Sequence, residues 1–90
     1  MEHYDIKITG RVQGVSFRAS AMVAAIELNV TGFAQNKTDG SVYIEAEGRK
    51  ADMKQFVDWC KQGPKNARVA KVDISKGELK NFEIFEIKFL

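Results

Sequence analysis

The segment Val30–Gly48 reads VTGFAQNKTDGSVYIEAEG. Its middle, Lys37-Thr38-Asp39-Gly40, is a reversal, with Asp-Gly supplying the backbone freedom that a tight turn needs. Val30 to Asn36 ahead of it reads as a strand. Ser41 to Glu47 behind it alternates, with Val42, Ile44 and Ala46 on one side and Tyr43, Glu45 and Glu47 on the other. The two runs predict a β-hairpin.

Each flank of this hairpin carries a helical pattern. Upstream, Ala19 to Asn29 (ASAMVAAIELN) is rich in alanine. Its expected apolar stripe is Met22, Ala25 and Ile26, with Ala21 and Leu28 beside it. Ser16 is the expected N-cap, which leaves Phe17 and Arg18 in the first turn. Downstream, Lys50 to Gln62 places Met53, Phe56, Val57 and Cys60 at i, i+3, i+4 and i+7, and Gly63-Pro64 ends it.

Strands lie beyond the helices. Tyr4 to Gly10 sets Tyr4, Ile6 and Ile8 against Asp5, Lys7 and Thr9. Ala70, Val72 and Ile74 alternate in a fourth strand. Phe85, Ile87 and Phe89 alternate in a last one, with Glu86 and Lys88 facing the other way. The alternation changes phase at Asn81 to Ile84, which predicts a bulge or a late strand start. The order is βαββαβ plus a C-terminal strand. Two right-handed crossovers of this kind give an antiparallel sheet with two helices on one face. The expected class is α+β, a ferredoxin-like α/β sandwich, with residues 1–90 as a single domain.

Composition is ordinary for a globular chain of 90 residues: 44% hydrophobic and 29% charged. A net charge of +2 is far below that of a dedicated nucleic-acid binder. The single cysteine, Cys60, excludes an internal disulfide and a cysteine zinc cluster. It is expected as a small core hydrophobe, with Trp59 packing beside it. The polar start Met1-Glu2-His3-Tyr4-Asp5 is unlike a signal peptide, and no run is long enough to cross a bilayer. The expected location is the cytoplasm, with no membrane partner. His3, the lone histidine, is expected as a frayed surface residue.

Between the first strand and the first helix lies GRVQGVSFR, Gly10 to Arg18. A helix N-terminus leaves unpaired N–H groups and a positive dipole end. A glycine-rich approach lets consecutive N–H groups form a concave nest. Arg18 adds a planar, permanently charged fork. Together they suit an oxyanion such as phosphate. The loop is neither a Walker loop nor a dinucleotide fingerprint, because the required spacings are missing. Phe17 reads as a core anchor for the loop, and Asp39 and Gly40 as turn residues, with Asp39 near enough in sequence to tune Asn36.

Two motifs at matching separation resemble the acylphosphatase family. The first is met by Gly10, Val12, Gln13, Gly14, Val15, Phe17 and Arg18; the second by Gly32, Phe33, Ala34, Gln35, Asn36, Gly40, Val42 and Gly48. The resemblance extends over essentially the whole chain. Ser16 occupies a variable position, and Gln35 sits where the family often has a basic residue.

The resemblance implies hydrolysis of the carboxyl–phosphate anhydride of small acyl phosphates. It implies that backbone N–H groups of Gln13, Gly14, Val15, Ser16, Phe17 and Arg18 cradle the phosphoryl group, that the Arg18 guanidinium binds it, and that Asn36 holds the attacking water. Arg18 and Asn36 are the expected catalytic residues. Inorganic phosphate or a similar anion is the expected product and inhibitor. The motif region holds no histidine, cysteine or carboxylate pair to act as base or nucleophile. The carboxylate leaving group needs no protonation, so neither a metal nor a cofactor is expected. The chain is expected to act as a monomer and independently of further domains. Two rivals share the fold class. An RNA reader needs exposed aromatics on its central strands, and Tyr4 and Tyr43 do not supply the pattern. A non-catalytic anion-binding module would keep Arg18 but have no need of Asn36.

Overall fold

The computed structural model describes residues 1–89. Five strands and two helices follow the order β1 (Glu2–Arg11), α1 (Phe17–Glu27), β2 (Thr31–Asn36), β3 (Val42–Gly48), α2 (Lys50–Gln62), β4 (Arg68–Gly77) and β5 (Phe85–Lys88). The strands form one sheet in the order β4-β1-β3-β2-β5. β1 pairs antiparallel with β3 and β4, and β2 pairs antiparallel with β3. β5 differs from the expected antiparallel sheet, since it lies parallel to β2. The late start at Phe85 accounts for the phase change in the sequence. No described helix is long and apolar enough to cross a membrane.

Both helices cover one sheet face. Ile6, Ile8, Ala34, Val42, Ile44 and Ala46 face Phe17, Ala21, Ala24, Ala25, Met53, Phe56, Val57 and Cys60 in a single buried cluster. The periodicity of α2 was fully expressed: its four stripe residues are its buried ones. Phe56 is wholly buried and packs its ring on Trp59 and Phe85. Burying one such side chain contributes about 2–3 kcal/mol.

α1 keeps its expected stripe except at Ile26: Ala21 and Ala25 are in the core, and Met22 and Leu28 pack against it. Its buried residues are Phe17, Ala21, Ala24 and Ala25, while Ile26 is 61% exposed. Phe17 and Ala24 join the buried side, and Ile26 lies at its outer margin. The helix closes at Leu28, and the left-handed Asn29 lets the Val30 N–H reach back to the Ala25 carbonyl at 2.8 Å.

In β4 the expected alternation of Ala70, Val72 and Ile74 is interrupted. The register with β1 shifts between Thr9 and Gly10, so that Gly10 pairs with Val69 and Thr9 with Lys71. Val69 and Val72 therefore pack on the core, and Ala70 is exposed. Gly10 has φ +124°, and a Cβ there would collide with the Arg68 carbonyl oxygen. Only glycine permits this close crossing.

β4 and β5 occupy opposite edges, so residues 78–84 cross the sheet face that the helices leave open. This crossing buries His3, contrary to the expected frayed terminus. His3 is 3% exposed and Glu47 is 2% exposed. The imidazole bonds Glu47 Oε2 through Nδ1 at 2.7 Å and Asp5 Oδ1 through Nε2 at 2.8 Å. Glu47 also accepts from the Lys80 and Phe82 backbone N–H groups, and the Lys80 ammonium donates to Glu45. Burial pulls the His3 pKa down, but the hydrogen bonds to Glu47 and Asp5 outweigh it, and the net shift is upward. Burial pushes the Glu47 carboxyl up, yet its hydrogen bonds leave it below the ordinary value.

Candidate active site

The site begins where β1 ends. Val12 is buried and anchors the chain at the sheet. Gly14 then turns left-handed at φ 75°, and so does Ser16 at φ 61°, ψ 30°. A serine in this conformation carries a conformational cost of about 1 kcal/mol. Such outliers concentrate where a backbone must present a particular face. Phe17, 2% exposed, pins the loop from below with its ring edge-on to Trp59 at 5.3 Å. This is the anchoring role expected of Phe17.

Ser16 stands at the N-cap position but its side chain makes no capping hydrogen bond. The expected cap is corrected for a local reason: its left-handed backbone departs from the extended conformation that N-capping residues typically adopt. The first intrahelical bond runs from the Ser20 N–H to the Ser16 carbonyl at 3.0 Å. The N–H groups ahead of Ser20 have no intrahelical partner, and they carry the positive end of the helix dipole.

Arg18 and Asn36 meet in one cleft of about 390 Å³, walled by Val12, Gly14, Ser16, Phe17, Ala19, Ile87 and Phe89. Asn36 is the last residue of β2 and pairs with Val42 across the hairpin. The Arg18 guanidinium carbon lies 5.1 Å from the centre of the Phe89 ring. A ring face at this distance favours the cation and restricts its swing. Among the described residues, no carboxylate forms an ion pair with Arg18.

Of the other loop residues, Gln13 and Val15 do not line this cleft. Val15 packs against the core. The Gln13 side chain donates to the Lys37 carbonyl at 2.7 Å and the Ser41 carbonyl at 2.9 Å. Asp39 stabilises the same turn, accepting from the Ser41 N–H at 2.9 Å and hydroxyl at 2.6 Å. These bonds hold the Asp39 carboxyl well below the usual range, with Lys7 at 3.1 Å assisting. The Gln13 staple and the Ile87–Phe89 wall are absent from the sequence reading. The wall depends on β5 docking parallel to β2, which brings Lys88 opposite Gln35, next to Asn36.

Two other places lack this chemistry. His3, Asp5 and Glu45 could offer ligand atoms within 4.8 Å of one another. The cationic partner there is already Lys80, 2.7 Å from Glu45, and both imidazole nitrogens are engaged. A groove of about 750 Å³ between α2 and β4 has an apolar floor of Tyr4, Val57 and Ile74 rimmed by lysines. Cys60 is fully buried, and burial pushes its thiol pKa up and disfavours the thiolate.

Known proteins resemble the chain in both sequence and fold. The acylphosphatase family model matches residues 4–87. The acylphosphatase of Anaeromyxobacter sp. (strain Fw109-5) is 50% identical over 72 residues, covering 80% of this chain and 77% of that one. That of Thermus thermophilus is 44% identical over 81 residues, covering 87% and 92%. The crystal structure of acylphosphatase from Bacillus subtilis superposes with a TM-score of 0.95 at 32% identity, covering 98% of this chain and 99% of that one. With a family match over nearly its full length and a shared backbone, the chain belongs to the acylphosphatase family.

Proposed function

We propose that the cleft shared by Arg18 and Asn36 performs the family's reaction, hydrolysis of the anhydride between a carboxylic acid and phosphoric acid. The observation that carries this reading is the meeting of those two side chains beside the left-handed loop. The phosphoryl oxygens sit against the N–H groups of the loop and first helical turn, which are preorganised and need no rearrangement. The Arg18 guanidinium grips the same group through two hydrogen bonds and balances its charge as the transition state loosens.

Asn36 holds a water in line with the breaking bond through its side-chain amide. The water oxygen bonds to phosphorus, and the bond between phosphorus and the carboxyl oxygen breaks. The carboxylate leaves with the electron pair, and the water's proton passes to a phosphoryl oxygen. A carboxylate is stable at neutral pH, so the leaving group calls for neither a general acid nor a metal. A phosphate monoester would have to expel an alkoxide and is a far poorer substrate for these residues. Inorganic phosphate, the product, competes for the same amides. Nothing in these steps calls for a second copy of the chain, and the reading is of a monomer acting in the cytoplasm.

The test is an assay in chelator-treated buffer with benzoyl phosphate beside a phosphate monoester. The proposal expects turnover of the first, slow or absent turnover of the second, and no effect of the chelator. Binding of phosphate without hydrolysis of the anhydride would instead indicate an anion-binding module.

A further inference from the structure

A second basic cleft abuts the phosphate loop. It has a volume of about 340 Å³ and is lined by Arg11, Gly14, Val15, Lys65, Asn66 and Arg68. Gly14 is shared between this cleft and the one holding Arg18 and Asn36. No acidic residue lines it. Among the described residues, none of its three cations forms an ion pair.

The sheet itself makes this arrangement unusual. Arg11 and Arg68 are direct register partners where β1 meets β4. Side chains of directly opposed residues share a face, and like charges in that relation destabilise the pairing. Lys65 adds a third positive charge from the turn ahead of β4. That turn is held in place by the bond from the Ala67 N–H to the Pro64 carbonyl at 3.0 Å and by burial of Ala67. Three clustered cations without a counter-charge gain most from an anion placed among them. Two guanidinium forks and an ammonium match a carboxylate or a phosphate.

From this geometry we propose that Arg11, Lys65 and Arg68 form a second anion subsite, which holds the far-end anionic group of an acyl phosphate whose acyl part carries a carboxylate or phosphate. This rests on the reaction assigned above to the Arg18–Asn36 cleft. The preferred substrate class is then the acyl phosphate with two anionic ends. The subsite adds no chemical step; it strengthens binding and steers the substrate toward the loop.

The experiment compares kcat/KM for succinyl, glutaryl and adipyl phosphate with that for butyryl, valeryl and hexanoyl phosphate, which match them in carbon number but lack the far carboxylate. The wild-type protein is expected to favour at least one ω-carboxylate over its counterpart by about tenfold, the worth of one exposed charge-assisted hydrogen bond. The double variant Lys65→Gln/Arg68→Gln is expected to lose that preference while hydrolysing the alkanoyl phosphates as before. Its melting temperature should equal or exceed wild type, because the opposed like charges are gone, so misfolding does not explain a loss. Absence of a preference at every chain length, or its persistence in the double variant, overturns the subsite. Failure of the wild type to hydrolyse any of the six overturns the reaction assignment, and the subsite falls with it.

Discussion

The side-chain amide of Gln13 donates to the carbonyl oxygens of Lys37 and Ser41, at 2.7 and 2.9 Å, and so ties the phosphate loop to the turn that follows Asn36. Loop and turn come from different parts of the chain. On the proposed mechanism, this bond pair sets the spacing between the loop that would hold the phosphoryl oxygens and Asn36, which would aim the water. Gln13→Ala should therefore lower kcat by about tenfold or more, since small misplacements are costly at a preorganised site. Gln13→Asn, one methylene shorter, should not restore it. Steady-state kinetics check the rate, and hydrogen exchange of amides 37–41 should quicken in the same variants. A normal kcat in Gln13→Ala would show that the strands alone set the spacing.

The buried pair of His3 and Glu47 makes stability depend on pH. The His3 pKa is raised above its ordinary 6.5, so its contribution is complete below that value and is lost as pH rises through the folded pKa. The Glu47 pKa is lowered below its ordinary 4.5, so its contribution is complete above that value and is lost as pH falls through the folded pKa. Both are fully present between pH 4.5 and 6.5. The melting temperature should fall on the alkaline side of that window. His3→Gln should flatten that alkaline decline and cost about 2 kcal/mol, through a buried charged hydrogen bond lost. Melting curves across pH for both proteins test this; parallel alkaline slopes would contradict it.

Gly10→Ala should destabilise the fold by about 2–3 kcal/mol, because the added methyl meets the Arg68 carbonyl and the backbone is left-handed. It should also slow catalysis, since β1 must shift at its end next to the loop. Gly40→Ala is the control: φ is +92° but the site is open, and only the conformational cost of about 1 kcal/mol remains. Urea unfolding of the two variants should show this order.

Cys60 should resist alkylation in the native protein. It is fully buried and burial suppresses its thiolate. Labelling by iodoacetamide should track the unfolded fraction as urea is raised. Rapid labelling without denaturant would mean that α2 lifts from the sheet.

How much the sequence disclosed differs from element to element. α2 was legible in its bounds and its buried face, because Met53, Phe56, Val57 and Cys60 are its only apolar side chains besides Ala51 and Trp59, and they fall on one stripe. The hairpin was legible from Asp39-Gly40 and the alternation after it. α1 was legible as a helix and, Ile26 apart, in the side it turns to the core. Ile26 lies at the outer margin of that side, so it could be exposed without breaking the pattern. His3 misled for a different reason. What buries it is the crossing of residues 78–84, a consequence of β4 and β5 taking opposite edges. Strand order is a property of the whole sheet and has no local signature.

The candidate site shows the same division. Arg18, Asn36 and the loop could be named from the two motifs. Phe89 and Ile87 join the cleft only because β5 runs parallel to β2. The role of the Gln13 side chain was hidden because its partners are backbone carbonyls, which every residue possesses. Ser16 was placed at the right position with the wrong capping role. The left-handed turn there follows from how the loop closes, and serine is not a residue that announces it.

The most direct test of the mechanism separates gripping phosphate from aiming water. Turnover of benzoyl phosphate and affinity for inorganic phosphate are measured for the wild type, Arg18→Lys and Asn36→Ala. The account predicts that Arg18→Lys loses both, because a point charge does not replace the fork. It predicts that Asn36→Ala loses about 100-fold or more in kcat while phosphate affinity stays near the wild-type value. Near-normal turnover in either variant, or an equal loss of turnover and phosphate affinity in Asn36→Ala, would contradict it.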